Sequence, residues 1–187
     1  TGGTYKPRVH TGFYNNFLAS LPTIKKHVEP YLKDFERPRT LYIVGHSLGA
    51  GIANLTAAYY LLLYDWATLP QRLVLVTAGS PRSICKSMKS IVDERLQALG
   101  PENVRFYRIV KGSDAVATVP PKILGFEHMT PATLITDEGN IVLRLDDVEG
   151  SLDTNATQLA SLKAKQDTAV RSITGGTDDD DDGRDEV

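Results

Sequence analysis

The 187 residues are enough for one domain with a real core, and 41% hydrophobic with 24% charged residues is ordinary for a globular chain. The formal net charge of −2 hides an asymmetry: seven acidic residues and one basic residue fall in 178–187, so residues 1–177 carry about +4, too weak and scattered for a nucleic-acid surface. A single cysteine, Cys85, excludes an internal disulfide and a cysteine-rich zinc site, and no apolar run approaches the ~20 residues of a transmembrane segment.

Residues 1–8 show no periodicity. Val9-His10-Thr11-Gly12-Phe13 reads as a short extended piece ending at a glycine. Apolar residues then recur at Phe17, Leu21, Ile24, Val28, Tyr31 or Leu32, and Phe35, the spacing of one helix face. Pro22 suits a first turn opened by Ser20, and Pro30 predicts a kink or a split. A loop through Glu36-Arg37-Pro38-Arg39 leads into Thr40-Leu41-Tyr42-Ile43-Val44, a β-prone run that enters Gly45-His46-Ser47-Leu48-Gly49. Leu48 to Tyr64 follows as a helix apolar nearly all round, the pattern of a helix buried on most sides.

Arg72 to Thr77 reads as a strand with little alternation, as in a parallel sheet buried on both faces. Ile84 to Leu99 reads as a helix with Ile91, Val92, Leu96 and Leu99 on one side, and Val104 to Val110 as a third strand ending at Lys111-Gly112-Ser113-Asp114. Pro120-Pro121 opens a loop through His128. Ala132–Thr136 and Ile141–Leu145, around Asp137-Glu138-Gly139-Asn140, predict a β-hairpin. Asn155 to Ser172 has the pattern of a modest helix, and from Thr174 onward the composition is that of a disordered acidic tail. Strand–helix alternation of this kind predicts an α/β fold, a mostly parallel central sheet with helices on both faces and its function beyond the carboxyl ends of the strands.

Gly45-x-Ser47-x-Gly49 between a strand and a helix is the setting of a nucleophile elbow: glycines permit a sharp, strained turn that lifts the serine hydroxyl into the open. The helix starting there offers free N–H groups to an oxyanion, with Leu48 as the first expected donor. A serine nucleophile needs a base, and the base needs an orienting acid; in this chain order the acid comes second and the histidine third. Asp114, at the end of a strand, fits the second place, although a turn aspartate bonding its own backbone has the same pattern. His10 precedes the sheet, His27 lies on a helix surface, and His46 is adjacent to Ser47 and directed away from its hydroxyl. His128 is the only histidine after Asp114.

With these segments in view, the chain resembles the class 3, fungal-type lipases of the α/β-hydrolase superfamily. Val9-His10-Thr11-Gly12-Phe13 is similar to that family's V-H-x-G-F, and Gly45 to Ala50 to its G-H-S-L-G-[GA] elbow. Ala78-Gly79-Ser80-Pro81-Arg82 resembles its G-x-P-R segment. Arg108-Ile109-Val110 through Asp114 and Val119-Pro120-Pro121 to Gly125-Phe126 and His128 resembles a further stretch in the same order. The resemblance covers about Val9 to Leu145. It implies a partial α/β-hydrolase fold over residues 1–173 with a C-terminal β-hairpin, followed by the acidic tail over 174–187. It also implies hydrolysis of acylglycerols or related lipid esters through an acyl-enzyme on Ser47, with Asp114 as acid, Leu48 in the oxyanion hole, a lipid ester as the partner and no cofactor or metal.

The same comparison assigns His128 to a position that is not the family's base. The base belongs after the hairpin, where this sequence has Gly150 in place of the histidine and Asn155 in place of a tyrosine. The family's first strands, second oxyanion donor and lid precede V-H-x-G-F, and only eight residues precede Val9, so the chain reads as shortened at its front. Three readings stand on the sequence: an active lipid-ester hydrolase with His128 recruited or a base supplied by another route, a catalytically impaired lipase-like fragment or pseudoenzyme that binds lipid or protein, and an acyltransferase or phospholipase on the same elbow.

Overall fold

A computed structural model describes residues 7–112, 114–136 and 139–145. A long helix α1 (Thr11–Leu32) leads to strand β1 (Thr40–His46) and helix α2 (Leu48–Leu63). Strand β2 (Arg72–Ala78), a two-residue strand β3 (Ile84–Cys85) and helix α3 (Lys86–Leu99) follow. Strand β4 (Val104–Lys111), two single-turn 3-10 segments (Ala115–Thr118 and Lys122–Leu124), a two-residue strand β5 (Phe126–Glu127) and the hairpin β6 (Ala132–Ile135) and β7 (Ile141–Leu145) complete the description. The predicted Asn155–Ser172 helix, the Gly150 position and the acidic tail lie outside the described residues, as do residues 137 and 138 of the hairpin turn.

The main sheet has the order β1-β2-β4-β6-β7, parallel except for β7. The small pair β3–β5 is antiparallel, and Val9 bridges to Ile84 beside it. The chain therefore steps across the sheet in one direction, from β1 to β2 to β4. Right-handed crossovers made in a single direction put their helices on a single face. Accordingly α1 touches α2, and α2 touches α3. On the covered face Leu73, Leu75 and Val104 join α2 residues Leu55, Ala57, Ala58, Tyr60 and Leu61 in one buried cluster. On the other face Tyr42 and Val44 are 65% and 71% exposed, and Val74 and Val76 are half-buried. Among the described residues, helices cover one face of the sheet.

Pro22 does not open α1, and the helix is not split at Pro30. The helix begins at Thr11 rather than near Ser20, and both Pro22 and Pro30 lie inside it. Ser20 does not cap it; its hydroxyl donates back to the carbonyls of Asn16 and Phe17 at 2.9 and 3.0 Å. Each interior proline removes one helical hydrogen bond. Burial of Phe13, Phe17 and Leu32, with Leu21, Ile24 and Val28 packed against the same cluster, offsets that loss. Trp66, at the exit of α2, is fully buried and donates its indole N–H to the Tyr60 carbonyl at 2.9 Å. Ile84 and Cys85 are strand rather than the start of α3, because β5 pairs with them.

The two faces of the sheet differ in what they hold. Leu75→Ala removes a fully buried side chain and is expected to lower unfolding free energy by about 2–5 kcal/mol. Val44→Thr, on the exposed face, is expected to change it by less than about 0.5 kcal/mol. Urea unfolding of both variants checks the contrast.

Candidate active site

β1 and the first turns of α2 meet too closely for a side chain at Gly45. A Cβ there would lie 2.6 Å from the Gly49 carbonyl oxygen, 2.7 Å from Ala50 Cα and 2.8 Å from Ala53 Cβ. The chain must therefore reverse within about one residue, and that residue is Ser47. Its backbone sits at φ 53°, ψ −126°, the only positive φ outside glycine among the described residues. Such a conformation costs on the order of 1–3 kcal/mol and persists only where the surroundings enforce it.

Ser47 directly precedes α2, and its own N–H donates to the Ala78 carbonyl at 3.0 Å, which ties the turn to the end of β2. Ala50 and Gly51 both donate to the Ser47 carbonyl, at 2.9 and 3.4 Å. The N–H groups of Leu48 and Gly49 have no backbone acceptor among the described bonds. They are the first-turn donors an anion would meet, at the positive end of the helix. Ser47 is half-buried and Leu48 is exposed beside it.

Asp114 comes to the same rim from the end of β4. One oxygen, Oδ1, accepts from the Val116 N–H at 2.9 Å and caps the 3-10 turn Ala115–Thr118. Oδ2 points toward the end of β2: a methyl group added to Gly79 would lie 2.5 Å from it. Gly79, at φ 55°, donates to Ile109 in β4 at 2.9 Å, immediately after the carbonyl that holds Ser47. The Ala78–Gly79 dipeptide thus meets the Ser47 backbone on one side and the Asp114 carboxylate on the other. Asp114 thus has the turn-aspartate pattern on one oxygen, while the other faces Gly79.

The four histidines fall elsewhere. His46 continues the exposed alternation of Tyr42 and Val44, and His27 is exposed on α1. His10 lies between rings, 4.7 Å from Phe13 and 5.3 Å from Phe126 by centroids. His128 places Nε2 2.9 Å from the Ala117 carbonyl. A carbonyl can only accept, so Nε2 carries the hydrogen. Burial, and the guanidinium charges of Arg108 and Arg82 near it, push the His128 pKa down from 6.5 to about 3. The ring is neutral at neutral pH and committed to the loop that follows Asp114. Among the described residues no histidine is hydrogen-bonded to Ser47 Oγ.

These motifs match a known family model described as Lipase (class 3), over residues 2–124. The chain belongs to the class 3 lipase family. It is 31% identical over 117 residues to a secreted mono- and diacylglycerol lipase of Malassezia globosa, covering 63% of this chain and 35% of that protein. A secreted mono- and diacylglycerol lipase of Fusarium solani is 32% identical over 123 residues, covering 66% of this chain and 33% of the relative. The chain thus spans about a third of the length of these curated relatives. Among solved structures, a mono- and diacylglycerol lipase from Aspergillus oryzae superimposes with a TM-score of 0.60 at 21% identity, over 76% of this chain and 49% of that one. A Rhizomucor miehei triacylglyceride lipase does so with a TM-score of 0.61 at 22% identity, over 80% and 55%. The α/β-hydrolase sheet is the fold they share.

In this class 3 lipase chain, the groups bracing the site were the ones hardest to read beforehand. Arg82 is buried; its N–H donates to the Val119 carbonyl at 2.9 Å, and its guanidinium Nη1 donates to the carbonyls of Thr118 and Pro120. It therefore holds the far end of the loop whose near end carries Asp114. Asn54, buried on α2, donates to the hydroxyls of Ser80 and Ser83, both at 3.0 Å. Together they join α2, the segment after β2 and the loop after Asp114. The only sequence signal was the Pro81-Arg82 pair inside the resembling segment.

Two outcomes follow from this geometry. Gly45→Ala is expected to destabilise the fold by about 1–3 kcal/mol, because two of the three close neighbours are backbone atoms that must shift; thermal unfolding reads it. His128 titrates near 6.5 when unfolded and near 3 when folded, so the unfolded state takes up the proton first. Above pH 6.5 the group is neutral in both states. Below it the group removes about 1.4 kcal/mol of stability per pH unit until the folded pKa is reached. His128→Gln, which keeps a donor for Ala117, should flatten the pH dependence of urea unfolding between pH 6 and pH 4.

Proposed function

We propose that the chain acts as a serine ester hydrolase on acylglycerols or related lipid esters, with Ser47 as nucleophile. The observation that carries the reading is the backbone of Ser47 itself, held at φ 53° on the N-terminus of α2. A serine kept in a strained turn at a helix start, with two first-turn N–H groups beside it, is arranged for acyl transfer. The names of the relatives, secreted mono- and diacylglycerol lipases, support the lipid-ester class of substrate.

In this reading the Ser47 hydroxyl adds to the ester carbonyl. The negative charge that develops on the carbonyl oxygen meets the Leu48 N–H at the positive end of α2. Solvent water takes the Ser47 proton and returns one to the departing alkoxide, so collapse expels the alcohol and leaves an acyl group on Ser47; a second water then adds to the acyl carbonyl, breaks the Ser47 ester and releases the fatty acid. Asp114 is the acid that would orient a base, through the oxygen not occupied by Val116. The proton of Ser47 needs an acceptor, and His128 is bound to Ala117 and neutral. In this proposal Ser47 and Asp114 supply the nucleophile and acid sides of the site, and the rate should be limited by proton removal. Residual catalysis in serine hydrolases without a base rests on the oxyanion hole and binding. The domain limits of the sequence reading, a lipase-like unit over 1–173 and a solvated tail over 174–187, go with this proposal.

A fluorophosphonate probe is expected to label Ser47, with the modified peptide found by mass spectrometry and absent in Ser47→Ala. A folded sample that stays unlabelled rules the nucleophile out. Added imidazole should raise the hydrolysis of a short-chain ester by roughly tenfold or more over the Ser47→Ala background, because general-base transfer contributes about 10²–10⁴-fold in a positioned site. The gain should follow the neutral fraction of imidazole with pH.

A further inference from the structure

Residues 79–83, between β2 and β3, form neither helix nor strand, yet every one of them is buried. A buried irregular segment has to meet its polar groups through other parts of the chain. Gly79 N–H donates to Ile109 in β4, and Arg82 N–H to Val119 in the loop after Asp114, both at 2.9 Å. The Ser83 carbonyl takes the His10 N–H, also at 2.9 Å. Asn54 supplies the link to α2. Its side-chain amide donates to the Ser80 hydroxyl and to the Ser83 hydroxyl, each at 3.0 Å, which uses both amide hydrogens.

An amide at residue 54 runs against its surroundings. Leu55, Ala57, Ala58 and Leu61 of the same helix are buried core. Thr56, another buried polar residue there, bonds back within the helix to the Ile52 carbonyl at 3.0 Å. A buried amide is stable only while its donors are met, and hydrogen bonds fix one register where apolar contact accepts several. Seven residues make about two helical turns, so Asn54 lies on the side of α2 that Ser47 leads into, ~10 Å along its axis. Just before the buried segment, the Ala78 carbonyl holds the Ser47 N–H at 3.0 Å; at its start, Gly79 faces Asp114 Oδ2. A slide of residues 79–83 along α2 would carry both contacts with it.

We propose that Asn54 is a positioning residue for Ser47: by tying Ser80 and Ser83 to α2, it holds the end of β2 in the register that seats the Ser47 backbone on Ala78 and Gly79 beside Asp114. Buried two turns away, Asn54 acts through the segment it grips and not on the substrate. The proposal rests on the hydrolase reading above and adds the group that keeps the strained turn aimed. Displacement of a reacting group by about 1 Å costs on the order of 10²-fold in rate.

The test uses the whole 187-residue chain carrying Asn54→Leu with Ser80→Ala and Ser83→Ala. Donor and acceptors are replaced together by apolar groups, so the thermal midpoint should stay within about 4 °C of the parent. Fluorophosphonate labelling of Ser47 is resolved into the affinity for the probe and the rate constant of phosphonylation. The rate constant should fall at least tenfold while the affinity stays within twofold. Hydrogen exchange of the Ser47 amide, read by NMR, should speed up at least tenfold while that of Leu75 in β2 is unchanged. Leu32→Ala, a core truncation at the end of α1, should lower the thermal midpoint and leave the labelling rate constant as in the parent. Ser83→Ala alone leaves Asn54 one partner and stands in if the triple variant does not fold; it should lower the rate constant two- to fivefold and speed Ser47 exchange. With a labelled parent, either signal unchanged in a folded variant overturns the proposal, as does an equal loss of rate constant in Leu32→Ala. If Ser47 of the parent is not labelled at all, the hydrolase reading falls alone: faster Ser47 exchange in the variant then still supports the positioning of its backbone, and unchanged exchange overturns it.

Discussion

The separation between the end of β1 and the first turns of α2 is the constraint from which the site follows. At Gly45 the two elements leave no volume for a methyl group. Strand and helix can meet that closely only if the chain turns back at once, and Ser47 takes the positive-φ conformation that makes the turn. The parallel register carries the consequence sideways. His46 lies opposite Ala78, so the Ser47 N–H falls on the Ala78 carbonyl. The next residue, Gly79, has room beside it for the Asp114 carboxylate because it has no side chain. A packing distance at one glycine thus sets the conformation of Ser47 and fixes it to the strand end that Asp114 approaches.

The acid loop has its own support, and it is built from buried charge. Arg82 and Arg108 are both buried, and carbonyl oxygens of Thr118, Pro120 and Thr130 receive their guanidinium groups. Such groups are stable inside a protein only when their donors are met. Burial, with the field they add, keeps His128 neutral, and its ring becomes one more tie, to Ala117. A side chain that residue type alone nominates as a base is a structural donor here.

Among the described residues the sheet is helix-covered on one face, and the chain spans about a third of its curated relatives. Leu73 and Leu75 are fully buried while Val74 and Val76 are half-buried, though all belong to one apolar run. The run of residues 72–77 could not reveal this difference, because an uninterrupted apolar strand looks the same whether one face or both are covered. The prolines of α1 teach a similar point. Pro22 argued for a helix start near Ser20, yet Phe13 and Phe17 bind the earlier turns to the core strongly enough to carry the helix through it. Local preference was correct in direction and smaller than the packing it competed with.

The sequence by itself determined the order of strands and helices, the family and the identities of Ser47, Leu48 and Asp114 as the residues to inspect. Those readings depend on local pattern: apolar spacing, glycine placement and motif order along the chain. Only the tertiary structure decided the rest. Gly79 beside Asp114, Arg82 on the Val119 loop, Asn54 on Ser80 and Ser83, and His128 on Ala117 are contacts between segments 11 to 38 residues apart. Which oxygen of Asp114 is occupied, and which histidine is committed elsewhere, depend on where backbone carbonyls and N–H groups arrive after the sheet has formed. Residue type specifies what a side chain can donate or accept; the partner that claims it is set by three-dimensional proximity.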